Sequence, residues 1–381
     1  MFPRFRIRHR RHALGAAITF ALASAATAQT APVVITGNPL GRDQALQPAS
    51  VLSGDGLTLR RAGTLGETLD GLPGISSTWF GPNSSRPVIR GLDGDRVRVL
   101  DNSGASVDAS SLSFDHAVAL DPLVVERVEV LRGPAALLYG GNATGGVVNT
   151  LSNRIPRGAL QGLSGRAELR LGGATAERGA SALVEGGAGA LAWHVDGFAR
   201  RTSDLHVPRF SAVEEGESLP AATRVRNSAS DAHGGAVGAA WTDRDGYVGA
   251  SVDTYHNRYG VTVEPDVFIR MKRDRAAFAA ERRRLPGFIE SVEVQASHTR
   301  YRHEEVEGSG EVGTTFSSRG SEWRVQARHS PVGPWTGVFG LQAESLDFSA
   351  LGAEAFVPGT RTRSSAVFLL EELRAGGLRW S

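Results

Sequence analysis

Two hydrophobic patterns divide the chain. Up to about residue 153, short apolar segments of mixed period alternate with turns rich in glycine and proline. From about residue 162, apolar and polar residues alternate over long segments, for example at 191–196 and 248–253. A mixed pattern predicts an α+β domain, whereas a sustained period of two predicts β-strands. We therefore expect an α+β domain followed by a long antiparallel β-region.

Local signals place elements within the first domain. Thr64 and Glu67 have capping-box spacing, and three leucines follow at helical intervals before Pro73 and Gly74. This pattern predicts a short helix that ends at the proline and glycine. Alternating residues predict strands at 97–101 and 125–131, and the pair at 121–122 predicts a turn or short helix before the second strand.

Residues 125–149 read VERVEVLRGPAALLYGGNATGGVVN. A phosphate-binding loop would need a glycine followed by lysine and then serine or threonine, but the only lysine of the chain is Lys272. We interpret the glycines as positions of positive φ and close backbone approach. Together with RPVIRG at 86–91, the segment closely resembles the plug domain of TonB-dependent outer-membrane receptors. That resemblance implies a domain that sits inside a large β-barrel and gates uptake of a scarce nutrient.

The N-terminus has the features of a secretory leader. Five arginines precede an apolar run and an Ala-Thr-Ala site at 26–28, and the run is too short to span a bilayer. Removing residues 1–28 takes away five arginines and no acidic residue, so the formal net charge changes from +2 to −3. The basic character therefore indicates no nucleic-acid partner. Without cysteine, the chain has neither disulfides nor thiolate metal ligands.

A short β-prone segment follows the leader. By position and character it resembles a TonB box, which pairs as an added strand with the TonB energy-coupling protein on the periplasmic side. Because the segment follows the predicted leader within a few residues, we expect no further signalling domain before it. The predicted TonB-binding residues are Val33, Val34, Ile35, Thr36 and Gly37.

Connection lengths favour an outer-membrane barrel for the β-region. Tight turns are predicted at 186–190, 243–246, 285–287, 331–334 and 376–377, and longer polar loops at 203–231, 303–313 and 352–361. Short turns on one rim and long loops on the other are typical of such barrels. We count about ten strands, whereas the resemblance implies about 22.

The predicted fold is therefore an α+β plug domain followed by the first half of an antiparallel transmembrane β-barrel. Because an open half-barrel would leave unpaired strand edges in lipid, we expect the chain to be a fragment, or a truncated or frameshifted product. The predicted domains are a signal peptide at 1–28, the TonB box and plug at 29–153, and a partial barrel at 154–381.

One pair of residues stands out as candidate metal ligands. Asp115 and His116 are adjacent, and their oxygen and nitrogen donors suit zinc. From chemistry alone, a role without metal explains the pair better than a metal site does: the aspartate would cap the following turn, and the histidine would be exposed to solvent. The segment, however, also resembles the plug of the zinc-uptake subgroup, which implies that the pair binds zinc from the extracellular side.

The barrel is expected to supply further ligands. His303 and Glu304 lie in a predicted solvated loop, and Glu354 lies in an apolar stretch near the predicted extracellular rim. Members of this subgroup often carry a histidine-rich extracellular loop. The segment at 261–267 of this chain contains no histidine, and only His256 lies nearby. The substrate is thus either zinc, captured by other groups, or something else.

The function predicted is TonB-dependent uptake of a metal ion, most simply zinc, without enzymatic activity or a bound cofactor. No nucleophile elbow or zincin motif is present. Outer-membrane lipid and TonB are the expected partners, and the outer membrane is the expected location. Alternatives are a receptor for copper, a siderophore or cobalamin and, in another class, a structural or adhesive barrel or a passive pore. Copper(I) would favour sulfur donors, and the chain has only Met1 and Met271.

Overall fold

The computed structural model describes residues 49–381, except 215, 354, 356 and 376. The leader, the predicted TonB box at 33–37 and Glu354 lie outside this description. The described residues form an N-terminal α+β domain and a large antiparallel sheet. No helix among them is both long and apolar enough to cross a membrane.

The N-terminal domain is built on a five-stranded sheet in the order β1-β6-β7-β4-β5, in which β4 and β7 are parallel. Its strands are β1 Ala49–Ser53, β2 Ile75–Ser77, β3 Pro87–Ile89, β4 Val97–Asp101, β5 Gly104–Ala105, β6 Arg127–Leu131 and β7 Gly146–Leu151. Its helices are α1 Gly54–Arg60 and α2 Leu65–Leu69, with 3-10 turns at Gly94–Arg96, Pro122–Val124 and Pro134–Tyr139. Strands β2 and β3 form a separate hairpin.

Capping and packing explain why helix α2 forms where the sequence predicts it. The side chain of Thr64 accepts a hydrogen bond from the backbone N–H of Glu67, as the capping-box spacing requires. Leu65 and Leu69 are fully buried and pack with apolar residues of β3, β4, β6 and β7. The helix ends at Leu69, one turn earlier than the leucine periodicity predicts. Asp121 caps the 3-10 turn before β6 by accepting from the N–H of Leu123.

Gly146 begins β7 at a place where a side chain does not fit. Its φ is +148°, and a Cβ there would lie 2.7 Å from the Leu131 carbonyl oxygen and 2.8 Å from Ile89 Cδ1. We therefore expect Gly146→Ala to destabilise the N-terminal domain by about 3 kcal/mol, through backbone strain and overpacking.

Protease resistance across a urea series measures this change. Gly141→Ala is the matched control, because no atom lies within 4 Å of a Cβ at that position. If the two variants become protease-sensitive at the same urea concentration, close packing at Gly146 is not what requires glycine.

The large sheet has eleven strands among the described residues, in the order β22-β21-β20-β19-β18-β17-β16-β15-β10-β9-β8. All neighbours in it are antiparallel, and its two edges do not pair with each other. The strands are β8 Gly162–Gly172, β9 Glu177–Ala188, β10 Leu191–Thr202, β15 Ser230–Asp243, β16 Gly246–Val261, β17 Glu264–Arg282, β18 Ile289–Val306, β19 Val312–His329, β20 Trp335–Gly352, β21 Thr360–Ala375 and β22 Leu378–Trp380. Between β10 and β15 lie four short strands, β11 His206–Phe210, β12 Val213–Glu214, β13 Glu217–Ser218 and β14 Ala222–Arg224.

The connections agree with most of the predicted turns and correct one of the predicted loops. Strands β9 and β10 are joined at 189–190, and β15 and β16 at 244–245. The predicted loop at 303–313 is wrong in its first half, because β18 continues to Val306. The histidine-free segment at 261–267 belongs mostly to β16 and β17, which are joined by a two-residue turn at 262–263. Both strands run farther than hydrophobic alternation shows, since only part of each is apolar.

The two faces of the large sheet differ in their contacts. The inner face packs against the N-terminal domain: Arg324 of β19 donates to the Leu138 carbonyl oxygen, and Arg200 of β10 pairs with Asp121 at 3.0 Å. The outer face carries exposed apolar residues such as Trp241, Trp323 and Val367. An apolar exterior around a polar, charged interior is the pattern of a barrel wall in a membrane.

Candidate metal centre

A loop of the N-terminal domain, residues 106–121, carries Asp115 and His116. It is held against the large sheet by Tyr259 of β16. The Tyr259 hydroxyl donates to the Asp115 carbonyl oxygen at 2.9 Å and accepts from the Ala117 N–H at 2.9 Å. Within the loop, Asp108 accepts from the Ala119 N–H at 3.1 Å. These contacts fix the direction in which the His116 ring points.

Strand β18 supplies the facing residues. Because side chains alternate along a strand, Tyr301, His303 and Glu305 share the inner face and lie next to the 106–121 loop. All three are buried, and His303 is 0% exposed. Their placement in a strand corrects the expectation that His303 lies in a solvated loop.

The two histidines and Glu305 converge on one point. His116 Nε2 lies 3.3 Å from Glu305 Oε1, and His303 Nε2 lies 3.7 Å from the same oxygen. One donor atom from each of these three residues lies within 4.8 Å of the other two. Asp115 Oδ2 lies 3.8 Å from His116 Nε2 and is a possible fourth donor beside these three.

Each ring is oriented by its other nitrogen. His116 Nδ1 lies 3.1 Å from the Ala109 carbonyl oxygen, and His303 Nδ1 lies 2.7 Å from the Tyr301 hydroxyl. A second partner of this kind fixes the ring and leaves Nε2 for a metal ion. His303 Nε2 is buried and has no hydrogen-bond partner among the described residues. Such an orphaned nitrogen costs free energy unless something binds it.

The spacing of the donors suits a small divalent cation. With bond lengths of about 2.0–2.1 Å, the donors of a tetrahedral zinc site are about 3.3–3.5 Å apart, close to the separations at this centre. Phe316 packs against both histidines, with ring centroids 5.0 Å from His116 and 4.5 Å from His303, and both histidines are buried. Burial works to lower the pKa of His116, but the hydrogen bond to Glu305 and the charge of Asp115 outweigh it and raise that pKa above its usual value. Negative charge at the centre thus attracts a cation, either a proton or a metal ion.

A second cluster of possible donors is already satisfied. Glu126, Glu185 and His194 also bring donor atoms within 4.8 Å of one another. His194, however, is hydrogen-bonded through both ring nitrogens, to Glu185 at 2.8 Å and to Asp196 at 2.9 Å. Glu126 accepts a hydrogen bond from the Asn153 N–H. Each member of this cluster therefore has a partner, and its ion pairs, His194 with Glu185 and Asp196, are contacts within the large sheet.

The structure brings together Asp115, His116 and His303 of the residues that the sequence suggests. Glu304 is not among them, because it points away and pairs with Arg270 and Arg302. Its neighbour Glu305, which sequence reasoning missed, takes the place instead. The sequence contained one signal for Glu305, its position two residues after His303. Residues two apart share a face only in a strand, however, and this segment was predicted to be a loop. Glu354 lies outside the described residues.

Residues 42–147 match the TonB-dependent Receptor Plug Domain family. A curated protein named Hemin receptor from Yersinia pestis is 36% identical over 121 residues, which are 31% of this chain and 18% of that protein. A protein of the same name from Yersinia enterocolitica is 35% identical over 124 residues, 32% of this chain and 18% of that protein. The aligned part of the chain therefore spans less than a fifth of these relatives.

The solved structure named Copper transporter OprC superposes with a TM-score of 0.68 and 16% identity over 85% of this chain and 52% of that one. At this identity the likeness shows the fold alone. The predicted fold class is confirmed: a plug domain precedes a large antiparallel sheet that has the fold of part of a barrel wall. The match to the plug domain family supports the predicted outer-membrane location.

Proposed function

We propose that the protein is a TonB-dependent receptor that takes up a divalent metal ion, with zinc as its substrate. The observation that carries this proposal is the convergence of donor atoms from His116, His303 and Glu305. One of these atoms, the buried Nε2 of His303, has no hydrogen-bond partner among the described residues. Two imidazoles and carboxylate oxygen form a donor set suited to zinc. The protein acts as a transporter and not as an enzyme.

The position of the centre suggests how uptake is coupled to energy. Asp115 and His116 belong to the plug domain, whereas His303 and Glu305 belong to the barrel wall. A pull by TonB on residues 33–37 that shifts the plug would separate the two halves of the centre. The ion then loses half of its ligands and is released. This step is conformational, and no bond other than metal coordination is made or broken.

Haem is the main competing substrate, because the two curated relatives are named hemin receptors. A haem held by two histidines would need its flat ring between their Nε2 atoms. Here Glu305 Oε1 lies within 3.3 Å of one Nε2 and 3.7 Å of the other, and so occupies that place. A bare ion fits this arrangement and a porphyrin does not. The same closeness argues against siderophores and cobalamin at this centre.

Copper is the second competitor. Met271 of β17 is directly opposite His303 of β18 and is buried, and thioether sulfur favours copper(I). For a zinc receptor we expect Met271→Leu to leave zinc affinity within about twofold, since the swap conserves volume and removes no zinc ligand. Copper would be the substrate if two results were found together. The parent would bind copper more tightly than zinc, and Met271→Leu would lower the copper affinity at least about tenfold.

The experiment that tests the proposal is a metal competition on the purified, detergent-solubilised protein. Zinc is titrated against a chromophoric chelator in the presence of magnesium, calcium, copper(II) or haemin. Displacement by haemin but not by free metal ions would contradict the proposal. A passive pore or adhesive barrel would show no saturable zinc binding.

A further inference from the structure

A cavity lies between the plug domain and the inward-facing residues of strands β18 to β21. Its volume is about 440 Å³, whereas a single water needs about 10–15 Å³ of such space. It therefore has room for a metal ion with a complete shell of water. We call this cavity the inner chamber.

Many oxygen-bearing side chains line the inner chamber. Hydroxyl groups come from both sides, from Ser106 and Ser110 of the plug domain and from Ser318 and Thr362 of the wall. Four carboxylates and two guanidinium groups also line it, namely Asp95, Asp108, Glu322, Glu344, Arg86 and Arg98. Both arginines are already held by carboxylates. The lining thus has an excess of negative charge, which favours a cation.

The inner chamber and the metal centre share the plug loop 106–121. Asp108 and Ser110 of this loop line the chamber. The residue between them, Ala109, is fully buried, and its carbonyl oxygen lies 3.1 Å from Nδ1 of His116. The loop thus faces the chamber on one side and the metal centre on the other.

Strand β19 is the second element that the chamber and the centre share. Phe316 packs against His116 and His303. Ser318, the next residue on the same face of the strand, lines the chamber. The Phe316 ring also lies 6.4 Å from the ring of Phe348, which lines the chamber from β20. Phe316 therefore lies between the histidines of the centre and the lining of the chamber.

Two carboxylates of the inner chamber depend on the plug domain for their counter-charge. Glu322 of β19 and Glu344 of β20 are Cα partners, and like charges directly opposite each other on one face of a sheet are unfavourable. Arg98 of the plug domain pairs with both of them. A plug that moves takes Arg98 with it, and the two carboxylates then attract another cation. The same movement separates the two halves of the metal centre.

We infer that the inner chamber receives the metal ion when it leaves the centre. The inference rests on the proposed function, since only uptake through a moving plug delivers an ion there. In the centre the ion is held by protein ligands, and on release waters take their place. The hydroxyl groups and carboxylates of the chamber accept hydrogen bonds from these waters, so the chamber takes a hydrated divalent cation.

A lysine placed in the inner chamber tests the inference, because its charge repels a divalent cation there. In Ser318→Lys we expect uptake of radioactive zinc by cells to fall at least about tenfold. Zinc affinity in chelator competition should stay within about threefold of the parent, because Ser318 supplies no ligand. The matched control is Ser317→Lys, which adds the same charge to the outer face of the same strand. Its uptake and its affinity should both stay within about twofold of the parent, because the wall and the solvent separate that charge from the chamber.

Loss of uptake with retained zinc binding in Ser318→Lys supports the inference. Parental uptake in that variant overturns it, and so does an equal loss in Ser317→Lys. If Ser318→Lys binds no zinc, Thr362→Lys is measured in its place, since Thr362 lines the chamber from β21, is exposed and lies on a strand outside the metal centre. A parent chain that binds no zinc contradicts the proposed function itself, so the two failures are distinguishable.

Discussion

Alanine in place of both His116 and His303 should lower the zinc affinity of the protein at least about a hundredfold. Loss of one residue that hydrogen-bonds to a metal ligand typically lowers metal affinity about 10–100-fold, and this change removes two of the ligands themselves. The loss should appear in chelator competition, where the parent withholds zinc and the variant does not. The double variant should remain folded, because it also relieves the buried nitrogen of His303 that has no partner.

Two controls on strand β18 separate coordination from a change in the barrel wall. His298→Ala removes an outward-facing histidine, and Glu304→Gln removes a carboxylate that pairs with arginines rather than with the centre. Both should bind zinc as the parent does. A double variant with parental affinity would remove the centre from the mechanism, and an equal loss in His298→Ala would point to a distorted strand. Glu305→Gln should weaken binding, whereas the sequence alone would have favoured Glu304.

Replacing residues 33–37 by glycine and serine should abolish zinc uptake by cells while leaving zinc binding at the surface intact. A Gly-Ser segment of the same length keeps the reach of the chain but lacks the β-prone side chains needed to pair with TonB as an added strand. Uptake of radioactive zinc, compared with zinc bound at the surface under de-energised conditions, measures both quantities. Because the metal centre lies in other residues, its affinity should not change.

Uptake that persists in this variant would contradict energy coupling through residues 33–37 and favour diffusion through a passive pore. Simultaneous loss of surface binding would instead indicate that the receptor did not reach the outer membrane. In the variant with alanine at His116 and His303, by contrast, we expect both zinc binding and zinc uptake to be lost. The two experiments therefore test ligand coordination and energy coupling separately.

The sequence predicted much of the fold from local signals. Thr64 and Glu67 placed the start of α2, Asp121 placed the 3-10 turn before β6, and the alternation of apolar residues placed most strands of the large sheet. These signals work because a cap or a strand face depends on residues a few positions apart. The segment 303–306 was missed as a strand because β18 continues there with charged residues on its outer face, where no lipid selects apolar side chains.

The metal centre could be predicted only in part. Asp115 and His116 were found because adjacent donors are visible in the sequence, and His303 as one of several candidates for the barrel. Glu305 was passed over for Glu304, since the choice between neighbouring carboxylates depends on which one faces inward. The supporting contacts from Tyr259 and Tyr301 had no signal, because an aromatic residue in a strand usually indicates packing alone.

The amino-acid sequence by itself determined the order of domains, the helix caps, the glycine positions and the period of the strands, because each of these follows from backbone preferences over a few residues. Only the tertiary structure decided that His116 meets a carboxylate 189 residues away and that one ring nitrogen of His303 has no partner. Such a meeting depends on the register of the long strands and on how the plug loop lies against them. Strand register is set cooperatively by the whole sheet, so no local segment encodes the metal centre.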